Sequence, residues 1–216
     1  MSDSRLQLKK RRLRNYFGSI ETDKKSEKDV EEEIASKGLE YIQMRLPVEK
    51  ITAKFEEDMK EKVDRNILHA KIRVASLNDL ESVTYLHNRS WMTSSTPFTP
   101  ITIDIIRKIF EYPETTILIA KVYGSDSGFA ILDFEGDKQE FGIIAGLGVL
   151  PKFQRKGLGT VIGMAAWNYF KKLGVKELRC EVYKSNLVSY NFIKSLGFEE
   201  FGVKVYRRED FIIDEN

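Results

Sequence analysis

The chain has a single cysteine, Cys180, among 216 residues, so it can close no internal disulfide and suits a reducing compartment. It lacks any run of about 18 apolar residues, which excludes a helix that spans a bilayer. Its N-terminal stretch has no apolar signal core, and the resulting expectation is an intracellular, cytoplasmic protein. It lacks a large net charge: at +2, any attraction to nucleic acid or membrane has to be local. No internal repeat is visible. What remains is a globular composition, 42% hydrophobic and 31% charged, long enough for one ordinary domain with an extension.

The stretch that organises the chain is Leu147 to Thr160. An apolar strand ends near Val149 and meets Pro151, which cannot donate to a sheet ladder. A short basic loop with Lys152, Gln154, Arg155 and Lys156 follows. Gly157 and Gly159 then open a helical run, Leu158 to Phe170, with apolar residues at helical spacing. A strand, a basic turn and a glycine-rich helix start make a site for a phosphorylated ligand. Amides of the first turn point at the anion, and missing side chains let its oxygens approach. The spacing excludes two common sites. A P-loop needs Gly-Lys-Ser/Thr after a four-residue gap, and here Gly159 runs straight into Thr160. The dinucleotide fingerprint would place its glycines directly after the strand, as Gly-x-Gly-x-x-Gly. Gly157, Gly159 and Gly163 come too late and are spaced too widely.

Gln154-Arg155-Lys156-Gly157-Leu158-Gly159 resembles the Gln/Arg-x-x-Gly-x-Gly/Ala motif of the GCN5-related N-acetyltransferase (GNAT) superfamily. A second stretch, Asn186 to Phe198, is similar to that family's Asn-x-x-Ala-x-x-x-Tyr-x-x-x-Gly-Phe, with Ser189 in place of alanine. The resemblance covers about residues 70 to 208. It implies a mixed α/β (α+β) fold, a mostly antiparallel mixed sheet flanked by helices, and acetyl-CoA as acyl donor, with no metal. The expected donor contacts are the backbone of Leu147 and Val149, the loop Gln154, Arg155 and Lys156, the helix start Gly157, Leu158, Gly159 and Thr160, and Asn186 with Ser189. The resemblance further implies a primary amine as acceptor, either a protein N-terminus or lysine or a small amine, and acyl transfer by direct attack.

The proton-handling groups depart from the family pattern. The usual base position falls on Ile143, and the usual tyrosine position on Ile193. Glu140 is the nearest acid upstream, with Glu181 and Asp133 equally open as the base. Tyr190, one turn before Ile193, is the candidate acid. By the same resemblance the loop after the first helix of the domain lines the acceptor side. His87 and Trp91 stand at its entrance as acceptor contacts, against the alternative of a helix-end histidine and a core tryptophan. A catalytically silent acyl-CoA-binding module is the competing function.

In order along the chain, residues 1–45 read as a charged, mobile tail. Arg5, Lys9, Lys10, Arg11, Arg12 and Arg14 precede an acidic block that contains Glu31, Glu32 and Glu33. The basic block leaves contact with RNA or the ribosome open, and a homodimer is also left open. Residues 46–68 read as an amphipathic helix that opens at Pro47, with Val48, Ile51, Phe55, Met59, Val63 and Ile67 along one face. The transferase domain is placed at 69–210, with a C-terminal tail at 211–216. Its expected order is strand, two helices, three strands, helix, strand, helix, strand. The central strand and the one after it should splay apart near Gly146 to Val149, at a bulge.

Overall fold

The computed structural model describes residues 38–64, 68–92, 94 and 100–207. The basic and acidic blocks of the N-terminal stretch and the tail at 211–216 lie outside them. Seven strands form one sheet: β1 (Leu39–Pro47), β2 (Lys71–Val74), β3 (Thr116–Val122), β4 (Ser125–Glu135), β5 (Phe141–Val149), β6 (Glu177–Tyr183) and β7 (Glu199–Tyr206). Their order is β2-β3-β4-β5-β6-β1-β7, and every neighbouring pair is antiparallel except β5 with β6.

The N-terminal extension differs from its expected form. Pro47 closes a strand rather than opening a helix, and the charged stretch turns into sheet at Leu39. Strand β1 slots between β6 and β7 and gives both a ladder partner, Tyr41 opposite Tyr183 on one side and Lys204 on the other. Met44 and Leu46 of β1 are buried. Strand β1 is therefore part of the sheet. The amphipathic helix, α1, spans Ala53–Asp64 after a short 3-10 turn.

Helix α2 (Leu80–Trp91) starts from a capping box: Ser76 N–H donates to Asp79 Oδ2 at 2.7 Å, and Arg73 holds the same carboxylate through both guanidinium nitrogens, at 2.7 and 2.8 Å. Helix α3 (Ile103–Phe110) follows, and Asn88 of α2 pins its approach by bonding both N–H and C=O of Ile101. The β3–β4 hairpin turns at Tyr123 and Gly124, both at positive φ, as a two-residue type I′ turn requires.

Helix α4 (Leu158–Lys172) covers the other face of the sheet, and α1 lies on α4 in the same chain. Glu56 of α1 accepts from Trp167 Nε1 at 2.9 Å and from Lys171 at 2.6 Å. Two glycines show which faces are covered: a Cβ on Gly142 would strike Phe170 of α4, and one on Gly148 would strike Ser90 of α2. Residues six apart should face the same way in a regular strand. They face opposite ways here because β5 carries one extra residue: Ile144 pairs with Leu132 and Gly146 with Ile131, which leaves Ala145 as a bulge.

Candidate active site

The bulge marks where the sheet opens. Strands β5 and β6 pair only from Phe141–Glu177 to Ile143–Arg179, and beyond Ile143 they diverge. On its other side β5 stays paired with β4 to its end. Leu150 N–H donates to Ser127 C=O at 2.9 Å, so in the alternating ladder Leu147 and Val149 are the residues not bonded to β4. Their main-chain polar groups face the splay. Gln154 of the loop turns back and donates its side-chain amide to Val149 C=O at 3.0 Å, which fixes the loop to the end of the strand.

The loop is built to present amides. Pro151–Phe153 makes one 3-10 turn, and Phe153 is buried beneath it. Arg155 and Gly157 both take positive φ, and Gly157 stands at the N-cap of α4 without a side-chain cap. The first backbone bond there runs from Val161 N–H to Gly157 C=O, so the amides of Leu158, Gly159 and Thr160 precede it. Arg155 and Lys156 are exposed beside them and Leu158 is buried. Gly159 has a second reason to lack a side chain. A Cβ there would lie 3.0 Å from the ring of Phe192 on α5 (Leu187–Ser195), and Gly163 meets Leu196 in the same way.

Asn186 caps α5, with Oδ1 accepting from Ser189 N–H at 3.1 Å. Its amide donates to Ser94 Oγ at 3.1 Å, which ties the segment after α2 to the start of α5. His87 and Trp91 meet each other and Phe129. The His87 ring is buried and stacks on Trp91 at 4.6 Å, and both rings lie within 6 Å of Phe129. They hold the end of α2 over Gly148.

Neither expected proton carrier is brought to the splay. Glu140 sits at its closed end, about 16 Å along the strand from Ala145. It is half-buried and accepts from Lys138 N–H at 2.9 Å. Hydrogen bonds from its own backbone amide and that of Lys138 pull its pKa down, which makes it a weaker base. Tyr190 donates its hydroxyl to Glu200 on β7, two strands from β6 in the sheet order. The ring of Tyr190 lies under Lys194, 5.4 Å from centroid to ammonium.

The structure places other groups there. A cavity of about 120 Å³ lies against the bulge, lined by Ile143, Ile144 and Ala145 from β5 and by Arg179, Cys180 and Glu181 from β6, with Gln43, Glu135 and Phe201 around them. Glu181 accepts from the Tyr206 hydroxyl at 2.8 Å. Arg179 stacks over Phe141 at 3.6 Å and bonds Glu177 and Glu135. Asp133, also open as a base, is buried and accepts from Phe134 N–H at 2.8 Å. The alternation of Glu177, Arg179, Glu181 and Tyr183 with buried Leu178, Cys180 and Val182 was a readable signal for Glu181. Gln43 had none once β1 was read as tail. Among the described residues no cluster of His, Cys, Asp or Glu could hold a metal ion, and no helix is long and apolar enough to cross a membrane.

A family model described as the acetyltransferase (GNAT) family matches residues 80–198. A search of curated proteins returns no match. Among solved structures, the aminoglycoside N-acetyltransferase AAC(6')-Iy, in complex with the bisubstrate analogue CoA-S-monomethyl-acetylneamine, shares 21% identity over 65% of this chain and 97% of that one, with a TM-score of 0.55. The ribosomal-protein-S18-alanine N-acetyltransferase from Escherichia coli shares 22% over 62% and 79%, with a TM-score of 0.53. The PaiA N-acetyltransferase from Thermoplasma acidophilum, in complex with coenzyme A, shares 21% over 63% and 99%, with a TM-score of 0.51. At these identities the likeness to the solved structures is one of fold. The matched stretch, more than half of the chain, contains the splayed strands, the basic loop and the uncapped start of α4, and the chain belongs to the GNAT acetyltransferase family.

Proposed function

We propose that the chain is an N-acyltransferase that takes the acetyl group of acetyl-CoA and passes it to a primary amine. One observation carries this reading: a strand side with outward main-chain groups, Leu147 and Val149, ends at a cavity that holds the carboxylate of Glu181. The solved relatives named above include complexes with coenzyme A and with a CoA bisubstrate analogue.

The residues present fit coenzyme A at two places. Three amides at the start of α4, beside exposed Arg155 and Lys156, suit a pyrophosphate. The side of β5 from which β6 diverges suits an extended amide-bearing arm, which can add as a strand would. The donor supplies a thioester, whose carbonyl a backbone N–H of β5 can polarise. Gly157 keeps the helix start clear of side-chain atoms. The open strands hold donor and acceptor side by side, and such positioning supplies much of the acceleration.

The amine arrives protonated, since a lysine-like amine has a pKa of about 10.4. Glu181 is the group we assign to receive that proton, directly or through one water. Tyr206 orients its carboxylate. Tyr190, turned to Glu200, is left out of the assignment.

The test is thiol release from acetyl-CoA in the presence of amines and short peptides, with Glu181→Gln alongside. Acceptor-dependent release that falls in the variant supports the reading. The engagement of Tyr190 by Glu200 favours a second reading, a silent acyl-CoA-binding module. Tight acetyl-CoA binding with no acceptor-dependent release would establish that one instead.

A further inference from the structure

Helix α2 carries a second apolar stripe, on the side away from the core. Its buried face is Leu80, Val83, Leu86 and His87. Steps of four from Leu77, in the turn that precedes the helix, reach Glu81, Tyr85 and Arg89, and Met92 continues the same side. Leu77 is 56% exposed, Tyr85 59% and Met92 62%. A lone exposed apolar side chain is ordinary, but three in line over about 22 Å of one helix form a surface. A groove of about 510 Å³ follows the stripe, lined by Tyr85, Arg89 and Met92 and, from α3, by Ile103. Glu81 and Arg89 are exposed, and among the described residues neither makes a hydrogen bond or an ion pair.

We propose that this face of α2 joins two copies of the chain through an antiparallel α2–α2 contact centred on Tyr85. The order of the residues carries the proposal. Glu81 and Arg89 stand at equal distances on either side of Tyr85. A two-fold axis through Tyr85 therefore sets each acid opposite the base of the second copy, and does so twice. The same axis brings the Tyr85 ring against its own copy and sets Met92 opposite Asn78, beside Leu77. The stripe is apolar at both ends, charged between them and aromatic at its centre, so it complements itself when inverted. A parallel pairing would instead oppose Glu81 to Glu81 and Arg89 to Arg89. Antiparallel helices that cross at about 20° keep stripes of this length in contact. An acid in the first turn and a base in the last also suit the dipole of α2. Association separates the two roles, because the dipole acts within one copy.

Sedimentation velocity of the full chain, from about 1 to about 500 μM at low ionic strength, reads the association. A single helix pair falls below about 1,200 Å², at the weak end of specific interfaces, so a dissociation constant on the order of 10 μM is expected. Glu81→Arg and Arg89→Glu each set like charges opposite one another twice, and each should weaken the dimer by about tenfold or more. Mixed together, the two variants restore both ion pairs across the axis, and the mixture should associate as tightly as wild type. Positions eight apart do not meet within one helix, so each variant keeps the fold. A chain that stays monomeric at about 500 μM overturns the proposal. A dimer that both variants leave intact also overturns it and moves the contact to another surface, such as the edge strand β7. A mixture no tighter than its components overturns the antiparallel register. Variants that lose thermal stability while association is unchanged assign Glu81 and Arg89 to the helix dipole alone, against the proposal. No substrate enters the measurement, so its outcome is independent of the acyltransferase reading.

Discussion

Tyr206 donates its hydroxyl to Glu181 at 2.8 Å and so ties the end of the last strand to the strand that parts from β5. The Tyr206 side chain is buried, and Glu181 lines the cavity at the bulge. The bond fixes which way the carboxylate faces. Glu181→Gln should therefore lower kcat by about 10²- to 10⁴-fold while acetyl-CoA affinity stays unchanged. Tyr206→Phe should lower kcat less, because the base remains but loses its orientation. Steady-state kinetics with saturating acetyl-CoA reads both. A Glu181→Gln enzyme as fast as wild type removes this residue from the chemistry.

Gly157 holds a left-handed backbone, φ +80°, at the start of α4. An L-residue there costs about 1–2 kcal/mol, so Gly157→Ala should lower the unfolding free energy by that order and weaken acetyl-CoA binding, as the first-turn amides shift. Gly157→Glu adds bulk and a negative charge beside the proposed pyrophosphate site and should abolish binding. Calorimetric titration with acetyl-CoA and urea unfolding check the two effects separately.

Trp167 is buried and its indole N–H is held by Glu56 of α1. Glu56→Gln keeps an acceptor for the indole and loses only the pair with Lys171, which is more than half exposed; that should cost under about 1 kcal/mol. Glu56→Leu leaves the N–H unpaired against α1 and should cost about 1–3 kcal/mol. The contrast between the two variants in denaturant unfolding, rather than either value, tests whether the indole bond holds α1 to α4.

Much of the fold was legible because its signals are local. Ile103–Phe110 and Glu177–Tyr183 follow directly from apolar periodicity and from the residues that bound them. Asn186 reads as a cap from its place before an apolar run, and the left-handed turn at Gly197 marks the end of the same helix. Strand β1 was hidden because its pairing is non-local: its partners on β6 lie 130 or more residues away in sequence, and the Lys/Glu-rich stretch before Leu39 masks a nine-residue strand. The site divides the same way. The loop and helix start are contiguous in sequence, whereas the cavity collects residues from strands β1, β4, β5, β6 and β7. Tyr190 was placed by helix spacing alone, and spacing could not show that Glu200, across the Gly197 turn, captures its hydroxyl.

Asp79 caps α2 with its carboxylate held by Arg73 and by the amide and hydroxyl of Ser76, in that order of weight, and these bonds push its pKa well below the ordinary 3.8. A depressed folded-state pKa means that the stabilisation is complete above the ordinary value and fades as the pH falls below it. Arg73 is more than a third exposed, so its pair contributes modestly; the cap itself is worth about 1 kcal/mol. Asp79→Ala should thus be less stable than wild type by that order at pH 7, and the gap should narrow below pH 3.8. Unfolding in urea across pH 7 to 3 measures it.

The central claim is that the opened strands bring acetyl-CoA to an amine beside Glu181. Thiol release from acetyl-CoA, followed with and without an amine acceptor in wild type, Gly157→Glu and Glu181→Gln, tests it most directly. The expected result is acceptor-dependent release in wild type, none in Gly157→Glu for want of donor, and slow release with normal donor affinity in Glu181→Gln. Tight donor binding with no release for any acceptor would contradict it.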